Sequence, residues 1–263
     1  MGKEVSDVIA KDPHTVHSVD KAMELVELLL QNRLPMTLQE LSAASGYPKS
    51  TVHALLATLR RHEMVRQDED GRYDLGIRLF ECGCAVSARW DVSRLAGPYL
   101  EKLAAQTGAG SFLSVLEGDH VISFDQCAGG DGLVVIPEVG SRLPLHATSQ
   151  GKLFLSQLSD SDAIQRLQRA GLPAYTPHTI TDTGQLLHAL EVIRREGYAI
   201  EDGEYKIGLR SVSAPVYDRY GRVRYALGTV GLFRRIRSDE FSHAVEQTVL
   251  FARQLSHALG GHL

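Results

Sequence analysis

Thr37 to Glu63 reads TLQELSAASGYPKSTVHALLATLRRHE, and this stretch decides the fold of the N-terminal part of the chain. Thr37 with Glu40 three residues on is a capping box: the hydroxyl accepts an orphan helix amide and the carboxylate reaches back to the N-cap amide. Leu38 and Leu41 share one face of a short helix that Ala43, Ala44 and Ser45 carry to Gly46. Glycine takes the positive φ that ends a helix and turns the chain tightly. Pro48 fits the first turn of a second helix, where its missing N–H does no harm. In that helix Val52, Leu55, Leu56 and Leu59 form an apolar stripe. Lys49, Ser50, Thr51 and His53 stand on the other face near its start, and Arg60 and Arg61 near its end.

Two short helices joined by a glycine turn describe a helix-turn-helix, whose second helix enters the major groove N-terminus first. Lys49, Ser50 and Thr51 can donate to phosphate oxygens or base edges, and His53 can reach one step deeper. A plain helical hairpin with a solvated polar face would share this pattern. The residues after Glu63 separate the two. Met64 to Gln67 alternates apolar and polar, Asp68-Glu69-Asp70-Gly71 is a turn, and Arg72 to Leu75 alternates again. A hairpin there is a wing, which presents its tip and Arg72 to the flanking backbone or minor groove.

Tyr47 to Leu59 (YPKSTVHALLATL), followed by Val65-Arg66-Gln67 and Gly71 to Gly76 (GRYDLG), resembles the DNA-binding domain of the IclR family of bacterial transcriptional regulators. Gly140 to Thr148 (GSRLPLHAT) with Gly151-Lys152 is similar to that family's effector-domain signature. Gly208 to Val216 (GLRSVSAPV) is similar to its late strand block. The match runs from about Ser18 to the C-terminus in the same order and spacing. It implies Tyr47, Pro48, Lys49, Ser50, Thr51, His53 and Arg72 as DNA-contacting residues, and a homodimer or homotetramer on a partly palindromic, double-stranded operator.

A chain of 263 residues is long enough for two modest domains. Its 43% apolar and 23% charged residues are those of a globular protein, and no apolar run is long enough for a transmembrane helix. The opening MGKEVSDVIAKDPH lacks the apolar core of a signal peptide, so a cytoplasmic protein without membrane partners is expected. Cys82 and Cys84 stand one residue apart and Cys127 is distant, which reads as three free thiols and no metal site. Residues 1–76 carry nine Lys or Arg against twelve Asp or Glu, which alone argues mildly against nucleic acid. Between Gly46 and Arg66, however, Lys49, Arg60, Arg61 and Arg66 face a single acid, Glu63. Positive charge therefore gathers on the proposed DNA face.

Along the chain, residues 1–17 show no periodicity, and Ser18 to Leu30 predicts a helix with Val19, Met23, Val26, Leu29 and Leu30 inward. A winged helix-turn-helix is expected over 15–76 and a linker helix over 77–91. Ile77, Phe80, Cys84 and Ala88 form one row of that helix, and Leu79 and Val86 a second that could meet a partner chain. Residues 92–263 then mix helices and strands without strict βαβ order, which predicts an α+β domain around an antiparallel sheet; the family resemblance implies a GAF-like fold. A helix is expected over 92–106, broken early by Gly97-Pro98, and strands over 111–116, 121–126, 133–139, 198–200, 211–217 and 222–231. Helices are expected over 149–158, 160–170, 183–196 and 238–259.

The loop His146 to Gly151 leads into one of these helices, and free amides at such an N-terminus favour a carboxylate, although Thr148 or Ser149 could simply cap it. Glu201-Asp202-Gly203-Glu204 is either a solvated acidic loop or a set of acceptors beside a pocket. The resemblance implies ligand positions at Val135, Ser149, Gln150, Glu201, Ser211, Gly228 and Val230, for a small organic acid. The last strand departs from a family stretch that can offer two hydroxyls: here stand Gly228 and Val230, with Thr229 facing the other way by strand alternation. Space at Gly228 and an apolar wall at Val230 favour an aromatic or acyl acid over pyruvate or glyoxylate. An enzyme is the rival reading, with Glu201, Asp202 or Glu204 as acid or base, or His146 beside Ser149. No nucleophile elbow, P-loop, dinucleotide fingerprint or H-E-x-x-H motif supports it, and no cofactor is expected. A winged helix that binds protein instead of DNA is the third reading; the basic face speaks against it.

Overall fold

The computed structural model describes residues 16–32, 34–89, 92–130 and 136–261, with backbone alone for 86–89. These fall into two compact units divided after residue 90. In the first unit, helix α1 (His17–Gln31) precedes α2 (Leu38–Ser45) and α3 (Lys49–Arg61). Strands β1 (Val65–Gln67) and β2 (Tyr73–Leu75) form the hairpin, and α4 (Ile77–Arg89) comes after it. Val65 pairs with Leu75 and Gln67 with Tyr73, and Met36 bonds Tyr73 through both backbone groups, so the wing is stitched to the segment before α2. Leu25, Val26, Leu29, Leu41, Val52, Leu56, Leu59 and Tyr73 make one core.

The inward face of α1 is corrected: Leu25, Val26 and Leu29 are buried, whereas Val19, Met23 and Leu30 are 57%, 47% and 68% exposed. Consecutive apolar residues admit two phases, and packing against α2 and α3 chose between them. The same happened in α4, where Leu79 packs on the core while Ile77 and Phe80 are exposed. Val86 and Ala88 lie outside the residues whose side chains are described.

The second unit opens with α5 (Val92–Thr107), then β3 (Gly110–Glu117), β4 (His120–Cys127) and the short β5 (Arg142–Leu143). Three helices come next, α6 (Ser149–Ser156), α7 (Asp160–Ala170) and α8 (Thr183–Glu196). Strands β6 (Ala199–Asp202), β7 (Arg210–Tyr217) and β8 (Val223–Gly231) and helix α9 (Asp239–Ala258) complete it. The six strands form an antiparallel sheet in the order β5-β4-β3-β8-β7-β6. Helices α5 and α9 pack on one face and α6 on the other, with α8 packed against α6. Strand alternation sorts the residues: Val212 joins Phe233, Phe241 and Ala244 on the α9 face, while Leu143 and Ala226 join Leu153 of α6 and Leu186 and Leu190 of α8 on the other.

Helix α5 is not broken. Pro98 removes the amide that would bond Arg94, but burial of Ala96, Leu100, Leu103 and Ala104 carries the helix through it. The strand expected over 133–139 is not formed at 136–138, and residues 131–135 lie outside the described ones. Glu201 and Asp202 belong to strand β6, pairing with Ser211 and Arg210, rather than to an acidic loop. Among the described residues no helix is long and apolar enough to cross a membrane.

Candidate functional site

The start of α3 is positioned by local chemistry. Both arms of the capping box form, Glu40 N donating to Thr37 Oγ1 at 3.2 Å and Thr37 N to Glu40 Oε2 at 2.7 Å. The Thr37 amide and the Thr37 hydroxyl, 2.9 Å from Glu40 Oε2, both donate to the Glu40 carboxylate and hold it below its usual range. Gly46 takes φ of 71° at the end of α2, and Ser42 Oγ donates to Tyr47 O at 2.7 Å across the turn. Pro48 is the N-cap of α3, one residue earlier than expected, so Lys49 opens the helix. The first bond within α3 is Val52 N to Pro48 O. The amides of Lys49, Ser50 and Thr51 are therefore the orphan donors of that helix. Lys49, Ser50 and His53 are exposed and Thr51 is half-buried.

Tyr47 and Arg72 are engaged within the unit. The Tyr47 hydroxyl donates to Glu24 of α1, its ring carries the Lys21 ammonium 5.0 Å from its centre, and burial together with Glu24 pushes its pKa up to about 12. Arg72 donates to Pro35 O at 3.2 Å and lies 3.5 Å from Glu40, folded back on the base of the wing. Arg60 donates to Gln67 Oε1 at 2.6 Å and Arg66 pairs with Asp74 at 2.5 Å.

In the second unit Thr148 caps α6, accepting from Gly151 N at 3.2 Å, which frees Ser149 for another role. Ser149 is fully buried, with its Oγ 2.8 Å from both Ser211 Oγ and Ser213 Oγ and 3.2 Å from Gln150 Oε1. Ser211 in turn donates to Glu201 Oε2 at 3.1 Å, while Glu201 Oε1 accepts from the amides of Glu204 at 2.6 Å and Tyr205 at 3.2 Å. Each hydroxyl has one proton, so a relay from Ser213 through Ser149 and Ser211 to Glu201 satisfies the serines. Burial raises the Glu201 pKa, against the pull of those donors. A ligand carboxylate entering here competes with Glu201 for the same protons.

Register places Val230 opposite Ser211 and Gly228 opposite Ser213, so both lie on the α6 face with the serines. Thr229 points to the other face and meets Thr248 of α9 at 2.9 Å, as alternation predicts. Ser149, Gln150, Glu201, Ser211, Gly228 and Val230 thus share one region, and Val135 lies outside the described residues. The space expected at Gly228 is absent. A Cβ there would stand 2.2 Å from Phe112 Cζ and 2.6 Å from Val212 O, because the ring of Phe112 fills the position from β3.

Sequence reasoning missed Ser213, Phe112 and the buried pair of Lys152 with Glu204. The i, i+2 spacing of Ser211 and Ser213 was the available signal for the first; nothing local announces the other two. His146 Nε2 sits 3.0 Å from Pro173 O, and burial lowers its pKa. Ser149 and His146 therefore have separate partners and form no nucleophile–base pair. Among the described residues no cluster of metal-ligating side chains occurs, and Cys82, Cys84 and Cys127 are free. A groove of about 560 Å³ lies on the α9 side, lined by Tyr198, Ile200, Ile236, Val245 and Val249 among others, and none of the expected ligand residues lines it.

Two family models match successive parts of the chain. Residues 18–69 match a family model described as the IclR helix-turn-helix domain, and residues 84–257 match one described as bacterial transcriptional regulator IclR C-terminal. The chain is 31% identical over 246 residues to the HTH-type transcriptional regulator XynR of Escherichia coli K12, covering 93% of this chain and 98% of that protein. It superposes with a TM-score of 0.80 on an IclR transcriptional regulator from Alicyclobacillus acidocaldarius, at 30% identity over 94% of this chain and 100% of that one. An IclR homolog from Microbacterium hydrocarbonoxydans, solved with 4-hydroxybenzoate, shares the fold at a TM-score of 0.80 and 23% identity, covering 92% and 98% of the two chains. The matched relatives are regulators, not enzymes.

Proposed function

Since the chain belongs to the IclR family of bacterial transcriptional regulators, DNA-binding proteins with an effector domain, we propose that it reads a partly palindromic operator as a homodimer or homotetramer in the cytoplasm, under control of a small organic acid. The observation that carries the DNA part is the start of α3. Lys49, Ser50 and His53 are exposed beside its orphan amides, while Arg60, Arg66 and Arg72 are tied to partners that hold the wing. Lys49 and Ser50 then take phosphates, Thr51 and His53 reach base edges, and Tyr47 and Pro48 set the entry angle of the helix. Arg72 contributes after release from Pro35, or through the potential of the wing. The exposed apolar residues of the first unit, Val19, Met23, Ile77 and Phe80, support contact with a second copy.

The acid is assigned to the α6 face, with Ser149, Gln150, Glu201, Ser211, Gly228 and Val230 around it; Val135 is a ligand position on the strength of the family resemblance alone. An aromatic acid is favoured, in keeping with the neighbour solved with 4-hydroxybenzoate. Such a ligand acts by binding two arrangements of the protein unequally, and DNA affinity changes by that difference.

Two measurements test the reading. Selection from a random-sequence DNA pool should enrich inverted half-sites spaced by whole helical turns; enrichment of no sequence would overturn the operator assignment. Thermal unfolding in the presence of carboxylic acids should find one that stabilises the second unit, by ~2.7 kcal/mol at 100 times its dissociation constant. The same acid should change operator affinity, and an acid that binds without changing it is not the effector.

A further inference from the structure

We propose that the groove beside α9 is where a second copy of this chain docks, its own α9 lying antiparallel about a two-fold axis that passes between Val249 and Leu250. This rests on the reading of the protein as a homo-oligomer and names a surface for it in the second unit. Among the described strands β6 ends the sheet, so its outer edge is unpaired. Beside that edge Tyr198 and Ile200 of β6, Ile236, and Val245 and Val249 of α9 line a groove of about 560 Å³, and all five are half-buried. Leu250 stands on the rim and is 45% exposed.

The charges on α9 select the occupant. Glu246, Val249, Leu250 and Arg253 all line the groove, and their spacing puts them on one stripe of the helix. The apolar pair lies midway between the acid and the base. A two-fold axis through that midpoint sets Glu246 against the partner's Arg253, Arg253 against the partner's Glu246, and Val249 against the partner's Leu250. Two ion pairs then flank one apolar contact, and each rim leucine enters the other copy's groove. Glu246 and Arg253 are exposed, and among the described residues neither has a hydrogen-bond or ion-pair partner within the chain. Other charges along this edge do: Arg195 pairs with Glu196 at 3.0 Å and Arg210 with Asp202 at 2.6 Å. Parallel helices about a two-fold axis would set acid against acid and base against base. A small apolar ligand would leave both charges unmatched.

Sedimentation equilibrium of the full chain tests this with wild type, Glu246→Arg, Arg253→Glu, the double exchange of both, and Leu250→Glu. Wild type should self-associate. Each single reversal sets like charges together twice, and should raise the dissociation constant of this step by roughly tenfold or more. The double exchange restores opposite signs and should return to within about threefold of wild type. A chain that stays monomeric overturns both this interface and the oligomeric reading. An assembly that neither reversal weakens overturns the interface alone, and leaves the groove to a ligand or another protein. Weakening in the single reversals without recovery in the double exchange overturns the antiparallel pairing. Should a reversal not fold, Leu250→Glu decides, because it places a carboxylate at the apolar centre. Dissociation then supports the interface, and an unchanged mass overturns it.

Discussion

Helices α3 and α6 begin with similar chemistry and opposite solvation. One opens on Lys49, Ser50 and Thr51; the other opens on Ser149 and carries Lys152 one turn later. Lys49 and Ser50 are exposed, whereas Ser149 and Lys152 are buried. Donors in water exchange hydration and counterions for phosphate contacts, so α3 suits a polyanion and its affinity must fall with salt. The buried donors are already bonded: Ser149 to Ser211 and Ser213, Lys152 to Glu204. A ligand at α6 must replace those bonds, and only one whose acceptors match them gains. On the proposed assignment, residue type does not distinguish the macromolecular contact from the small-molecule site; burial does.

The two lysines give the widest separation. Lys152→Met leaves the Glu204 carboxylate buried without its cation, and should lower the unfolding free energy of the second unit by about 3–5 kcal/mol. Chemical denaturation measures this, and a change well below 1 kcal/mol would mean that water reaches Glu204. Gly228→Ala comes next. The added methyl meets the Phe112 ring and Val212 O and should destabilise the same unit by about 1–3 kcal/mol, while binding of operator DNA without ligand survives. A variant as stable as wild type would show that the ring moves aside freely, and with it the filled position.

Lys49→Ala should leave the unfolding midpoint unchanged. It should weaken DNA binding and reduce the slope of log K against log salt by ~0.9, the release of one phosphate's counterion. An unchanged slope removes Lys49 from the phosphate contacts and weakens the contrast with Lys152. Thr51→Ala and His53→Ala should instead relax discrimination between operator variants, by ~1–3 kcal/mol where a base edge is read.

The smallest effect belongs to His146, whose burial holds its imidazole below the usual range. The unfolded chain takes up a proton near pH 6.5 that the folded chain does not. Its stabilisation is therefore present above that pH and lost as pH falls. Unfolding free energy should decline more steeply from about pH 7 to about pH 5 in wild type than in His146→Gln, by less than ~1.4 kcal/mol per pH unit. Identical slopes would show that the ring titrates freely.

The sequence by itself determined what depends on near neighbours. The Thr37–Glu40 box, the glycine at Gly46, the hairpin after α3 and the alternation that turns Thr229 away from Ser211 and Ser213 are rules of one to four residues' reach. They carried the winged helix, the α+β class and the polar face of Lys49, Ser50, Thr51 and His53, whereas the ligand positions came from the family resemblance. Tertiary structure alone decided which of two apolar phases α1 and α4 bury, because both phases are equally amphipathic until α2, α3 and the wing select one. It carried α5 through Pro98, since a helix buried against the sheet withstands a local penalty that an isolated one does not. At Gly228 it reversed the local inference: a missing side chain read as space is occupied by Phe112 from more than a hundred residues away, because packing density is a property of the whole core.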